Sequence, residues 1–327
     1  MKQYVLGMLL LSFIMTGTAG EMGLQKDDCM SGSSCRWTIG GELSFLKPDG
    51  AMIDYATKMV FVTPAIVAAS GNYVHASYEP SWSAFIKYDL AVQHTDVQFR
   101  TTHFDHEKGS SIVAPNALLV VNATLVSGTF FDEASGSVLF DLNNYELTVG
   151  AVINATQTGW RLRPYTGLHY VDENDRLIQR FYRVGGSFTH RLTSQFKGLG
   201  PVVGLESQYP LLDRLTLKND VTLGFLVGQS DMRTVGDIDD APVQPINFVD
   251  FQSFNRDRLV PYGFFDLGLL YRMPAVFRKY DAGISGGFKI IYYNDIHGRR
   301  AASSTNDPLR LNYVTYYGPY IGIQVRV

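Results

Sequence analysis

Past its first twenty residues the sequence holds no apolar run approaching the roughly 18 residues that a helix needs to cross a bilayer. A helical membrane protein is thereby excluded. Charge is scarce too, at 18% of 327 residues, against roughly 25% in an average soluble domain. Basic blocks are missing, and 28 basic against 31 acidic side chains leave a formal charge of -3 and a pI near 6.2. Nucleic acid is not an expected partner, because its binding rests on clustered Lys and Arg that neutralise phosphates. Sustained helical periodicity is almost absent. Cysteine is limited to two residues, too few without neighbouring His for a zinc site.

What is present begins with an export signal. Lys2 supplies a positive n-region, Tyr4 to Met15 an apolar stretch, and Thr16 to Gly20 the small residues that a signal peptidase requires. Residues 1–20 are expected to be removed, which leaves 21–36 as a periplasmic segment and 37–327 as the folded body. Cys29 and Cys35, in CMSGSSC, then meet an oxidising compartment. A local disulfide is the preferred expectation, with intermolecular bridging as the alternative.

Aromatics (13%) and 31 glycines are the other excess, and they sit in segments of period two. Trp37, Ile39, Leu43 and Phe45 share one face against Thr38, Gly40, Glu42 and Ser44. The same alternation recurs around 82–90, 144–151, 160–170, 220–227, 282–290 and 320–327. A soluble β-sandwich also alternates, but three features point elsewhere. Segments such as 137–152, 214–228, 279–293 and 311–327 exceed typical strands and suit tilted membrane crossings. Trp37, Trp82, Trp160, Tyr170, Tyr271, Tyr280, Tyr292 and Tyr313 fall near the ends of apolar faces, as interfacial girdles require. Short connections near 93–95, 154–159, 210–213 and 273–278 alternate with long ones near 47–77, 106–136, 171–195, 229–257 and 294–310. The expected fold is all-β, an antiparallel up-and-down transmembrane barrel of about ten strands (range 8–12), with short periplasmic turns and long extracellular loops. The strand around 97–104 alternates too weakly for its faces to be assigned. Segments 55–63, 117–128 and 178–192 also read as extended.

The stretches FDLNNYELTVG (140–150), RLRPYTGLHY (161–170), FKGLGPVVGLESQYPL (196–211) and YYGPYIGIQVRV (316–327), with WTIGGELSFLKP (37–48) and PSWSAFIKYDL (80–90), resemble in order and spacing the Legionella major outer membrane protein family. The resemblance runs through the mature chain and implies a Gram-negative outer-membrane barrel with porin-like or surface-exposed roles, and no catalytic residues. Val327 departs from the terminal Phe or Trp of many barrels, whereas Tyr320 and the apolar alternation before it are retained.

With apolar faces toward lipid, the lumen receives Glu146, Arg161, Arg163, Lys87, Asp89, Lys218, Asp220, Lys289 and Arg326, together with Glu42, Asn144, Asp266 and Gln324. A Lys or Arg on the lipid face at mid-depth costs roughly 2–4 kcal/mol, so this orientation is required. These residues are the expected pore lining. A hairpin turn centred near residue 155 is expected to bring Glu146 close to Arg163 as a charge-selective constriction.

The leading functional expectation is passive diffusion of small hydrophilic solutes or ions. A closed structural or adhesive barrel acting through its loops is the rival, since barrels near eight strands are filled by side chains. A remote third reading is a rim protease of omptin type, for which Asp237-Ile-Asp239 and Asp295-Ile-His297 have the right spacing. No enzyme, cofactor or metal is expected. Expected partners are outer-membrane lipid and lipopolysaccharide and small solutes, with homo-oligomerisation left open. The apolar segment Ala117 to Leu125 is expected to extend two strands beyond the bilayer, or else to cap the lumen.

Overall fold

The computed structural model describes residues 37–50, 54–63, 66–90, 94–113, 118–120, 131–155, 159–240, 243–250, 256–273, 281–296 and 313–327. The segment with Cys29 and Cys35, and the expected export signal before it, lie outside these residues. All regular structure among them is strand: β1 (Trp37–Gly50), β2 (Asp54–Thr63), β3 (Ile66–Tyr73), β4 (Glu79–Asp89), β5 (Thr95–Val113), β6 (Leu118–Val120), β7 (Glu133–Ala151), β8 (Ile153–Ala155), β9 (Trp160–Arg183), β10 (Gly186–Leu212), β11 (Leu215–Asp240), β12 (Val243–Asp250), β13 (Arg256–Arg272), β14 (Asp281–Asn294) and β15 (Tyr313–Arg326).

Ten of these strands close a barrel in the order β1-β4-β5-β7-β9-β10-β11-β13-β14-β15, all antiparallel. β15 returns to β1, and Trp37 and Val327 exchange backbone hydrogen bonds at 2.8 and 3.2 Å. Full closure removes the exposed sheet edge that neither water nor lipid tolerates well. β8 pairs with β9, β12 pairs with β11, and β2, β3 and β6 form a separate three-stranded sheet. Leu118–Val120 therefore pairs with β2 rather than lengthening β5 or β7, which corrects the expectation for these three residues; the rest of 117–125 lies outside the described residues.

Two aromatic girdles frame the lipid-facing band. Trp37 with Tyr88 (4.4 Å between ring centroids) and Trp160 with Tyr209 (5.7 Å) mark the periplasmic end. Tyr145 with Tyr170 and Tyr292 with Tyr313, each 6.0 Å apart, mark the other. Trp160 and Tyr170 lie about ten residues apart, roughly 33 Å along a strand and about 25 Å after tilting, the height of an outer-membrane apolar band. Leu147, Val149, Leu168, Leu223, Phe225, Ile284 and Ile321 point outward between the girdles.

Above the upper girdle the strands continue, and their hydrophobic phase reverses. On β9 the outward residues change from Leu168 and Tyr170 to Asp172, Asn174, Arg176 and Arg180, while Val171, Leu177 and Phe181 turn inward and become buried. β7 does the same with Leu142, Phe140 and Val138, and β10 with Phe196, Leu192 and Phe188. Outside the bilayer the wall meets water, so apolar side chains gain by facing the lumen. The β9–β10 pair ends in a tight turn at Val184 and Gly185, where a φ of +90° requires glycine.

Candidate functional site in the lumen

The periplasmic half of the lumen is a charged chamber of ≈90 Å³ that opens at the strand ends. Lys87, Asp89, Arg161, Lys218, Asp220 and Arg326 line it, together with Glu42, Asp266, Arg100 and Glu206. Several of its charges are paired. Asp96 accepts from Arg163 Nε at 2.8 Å and lies 3.2 Å from Lys87 Nζ. Lys289 Nζ donates to Glu42 at 2.6 Å, Arg326 donates to Asp89 at 3.0 Å, and Arg163 also lies 3.7 Å from Glu206. Charges are tolerable inside a barrel when hydrogen-bonded opposites hold them.

Glu146 and Arg163 do not form the expected pair. The β7–β9 register sets Glu146 opposite His169 and Gly150 opposite Tyr165, so the hairpin is centred between residues 157 and 158 rather than near 155. Glu146 lies 3.6 Å from His169 Nδ1, and Arg163 turns to Asp96 on β5. Asp96 and Arg100 were missed because their strand alternates weakly. In the structure Asp96, Gln98, Arg100, Thr102 and Phe104 all face inward.

Above the chamber, successive side chains cross the lumen. Arg100 on β5 reaches Asp220 on β11 at 3.3 Å, and Asp220 also accepts from the Tyr165 hydroxyl at 2.6 Å. The Tyr165 ring lies over Gly204, where any Cβ would collide with it. One layer higher, Tyr293 on β14 donates to Asn144 on β7 at 2.7 Å. His169 stacks on Tyr262 with centroids 4.1 Å apart. Next, Tyr316 on β15 donates to Glu173 on β9 at 2.8 Å. In a ring of ten, β14 and β7 are diametrically opposite, as are β15 and β9.

An apolar plug fills the remaining lumen above the upper girdle. Every barrel strand but β4 contributes to the buried cluster, including Leu46, Phe104, Phe140, Phe181, Phe196, Leu226, Val260 and Val314. Phe104 meets Tyr316 edge-on at 5.3 Å. Two acids sit inside this plug: Glu173 and Asp175 are 1% and 0% exposed. Burial pushes the Glu173 carboxyl up to about 8, and burial together with the neighbouring Glu173 raises Asp175 well above the usual carboxylate range. Burial likewise lowers His106, although Glu79, 3.8 Å away, opposes the shift.

The two acidic loop pairs are held by arginines where they are described. Asp237 lies 3.4 Å from Arg191, and Asp295, with φ of +60°, lies 3.3 Å from Arg258. The Asp239 side chain and His297 lie outside the described residues.

The family model for the Legionella pneumophila major outer membrane protein precursor matches residues 31–327. No curated protein matches significantly. Among solved structures, the chain is similar to the Escherichia coli outer membrane protease OmpT at 10% identity, covering 89% of this chain and 96% of that one, with a TM-score of 0.42. A Pseudomonas aeruginosa FadL homologue is similar at 7% identity, with coverages of 89% and 90% and a TM-score of 0.25. The Pseudomonas putida toluene transporter TodX follows at 8% identity, with coverages of 90% and 90% and a TM-score of 0.20.

Proposed function

The chain belongs to the Legionella major outer membrane protein family, and from that premise we propose that it is an outer-membrane barrel shut at rest, a structural element that presents its extracellular walls to partners. The observation that carries this reading is the pair of hydrogen bonds joining diametrically opposite strands, Tyr293 to Asn144 and Tyr316 to Glu173, beneath an apolar plug. Buried Phe and Leu side chains in the lumen oppose the passage of water and ions. The exposed arginines of β9 and β10 above the girdle, Arg176, Arg180 and Arg191, belong to the surface offered outside.

A second reading, diffusion of small hydrophilic solutes, is favoured by the charged chamber at the periplasmic end. It requires the plug to rearrange. Solute uptake into proteoliposomes distinguishes the two: the closed barrel gives no uptake above empty liposomes, whereas the pore gives uptake whose charge preference changes in Arg161→Ala and Arg163→Ala. No catalytic step is part of either reading. Peptide cleavage by the refolded wild type, lost in Asp295→Ala and His297→Ala, would replace both with the rim protease.

A further inference from the structure

Above the upper girdle the outer wall of β9, β10 and β11 carries arginines that take no part in the plug or the chamber. On β9, Arg176 and Arg180 point outward and are exposed. The strand register then builds a row: Arg176 is opposite Thr193 on β10, and Thr193 is opposite Arg233 on β11, itself exposed. Two strand spacings set the Arg176 and Arg233 backbones about 10 Å apart. Thr193, half-buried between them, shares its outward face with Arg191 two residues further up β10 and Gln195 two residues below. The result is a shallow cradle with a hydroxyl and an amide at its centre and arginines on three sides. On this wall Asp172 is taken by Lys197 and Asp237 by Arg191, and Asp231 stands two residues below Arg233. Among the described residues no ion pair holds Arg176, Arg180 or Arg233.

The neighbouring wall is of opposite sign: Asp105 and Glu107 on β5 and Asp141 on β7 face outward there. An anion is therefore repelled from that sector and drawn to this one. What lies beneath the cradle selects among anions. At and below the level of Tyr170 the same three strands turn Leu168, Leu199, Val203, Leu223 and Val227 outward, each 50–61% exposed, an aliphatic face suited to acyl chains. The Arg176–Thr193–Arg233 row is six residues beyond Tyr170, about 20 Å along the strand and about 15 Å above the girdle after tilting. Charges carried on the sugars of an outer-leaflet glycolipid stand in that zone. Guanidinium forks pair bidentately with phosphate and carboxylate oxygens. We propose that this sector is a docking site for lipopolysaccharide, with acyl chains against the aliphatic face and the phosphates and carboxylates of its inner sugars on Arg176, Arg180 and Arg233. It rests on the reading that the wall outside the membrane is offered to partners, and it names one. An acidic polysaccharide without acyl chains would engage the arginines and leave the aliphatic face unused.

The test is native mass spectrometry of the full-length refolded barrel in detergent, titrated with a phosphorylated lipopolysaccharide truncated after its inner core. Wild type is compared with the Arg176→Ala/Arg180→Ala/Arg233→Ala variant and with the Arg176→Lys/Arg180→Lys/Arg233→Lys variant, each shown to be folded by its β-sheet spectrum. The expected result is glycolipid retained by wild type, affinity lowered at least tenfold by the Ala substitutions, and an intermediate affinity with Lys, which keeps the charge but not the fork. Dephosphorylating the glycolipid is expected to weaken wild-type binding in the same direction. A wild type that binds no glycolipid, or a folded Ala variant that binds as tightly as wild type, overturns the site. Equally tight binding of the sugar portion freed of its acyl chains overturns lipid as the occupant and assigns the cradle to an acidic polysaccharide. Planar-bilayer recording of the same wild type keeps this inference apart from the shut lumen. A silent barrel without glycolipid binding overturns the site and leaves the shut barrel standing, whereas a conducting barrel that binds through these arginines supports the site and overturns the shut lumen.

Discussion

Below the Arg100–Asp220 bridge the lumen is lined mainly by charged residues, several of them paired, and above it mainly by phenylalanine, leucine and tyrosine, although the same strands build both halves. The difference follows from what lies outside the wall. Where lipid surrounds the barrel, polar residues are driven inward and must neutralise one another. Where water surrounds it, apolar residues turn inward and pack. A strand such as β9 therefore carries one alternation in two phases, with Tyr170 at the switch.

The comparison sharpens if each half is broken separately. Asp96→Ala leaves Arg163 and Lys87 without their shared carboxylate, and a buried pair broken on one side costs about 3–5 kcal/mol. Phe140→Ala in the plug costs about 3–5 kcal/mol through a cavity. Denaturant unfolding in detergent at low and high salt tells them apart: only the Asp96→Ala loss is expected to vary with salt. Equal salt responses would erase the division.

The pH response comes next. Glu173 is raised to about 8 by burial, so the folded state binds more protons than the unfolded state between pH 4.5 and 8. Unfolding free energy is then expected to fall as pH rises through that window, by up to about 1.4 kcal/mol per unit. Glu173→Gln should flatten the slope, as measured by urea midpoints at pH 5 and pH 8.5. A rising slope there contradicts the plug's acidity. Tyr316→Phe removes the hydroxyl that Glu173 accepts from and is expected to cost about 1–3 kcal/mol, measurable as a lower unfolding midpoint. Smallest is Lys197→Ala, whose ion pair with Asp172 lies on the outer wall with Lys197 half exposed. Its effect is expected below about 1 kcal/mol and to vanish in high salt.

The barrel itself was legible in the sequence because period-two alternation, aromatic ends and unequal connections all report the same membrane. The lumen was legible only where the alternation was strong. Lys87, Asp89, Arg161, Lys218, Asp220 and Arg326 are where alternation places them. Asp96 and Arg100 were hidden by Thr101 and His103 on the opposite face, which blur the contrast with lipid-facing Val97 and Phe99. The Glu146–Arg163 pairing failed because a displacement of two to three residues in the turn centre moves every opposed pair by about five. The plug carried a signal in the sequence, the transfer of apolar residues from even to odd positions past Tyr170, but a search for strands alone does not register a change of phase.

The central claim is that the lumen is shut by the plug rather than by the membrane, the loops or the charges below. Planar-bilayer recording of the refolded protein at pH 6 tests it most directly, with wild type beside a Phe140→Ala/Tyr316→Ala variant shown to be folded by its β-sheet spectrum. The account predicts a silent wild type and discrete conductance steps in the variant. Steps of equal size and frequency in both would contradict it, and would return the chamber residues to the place of an open pore's lining.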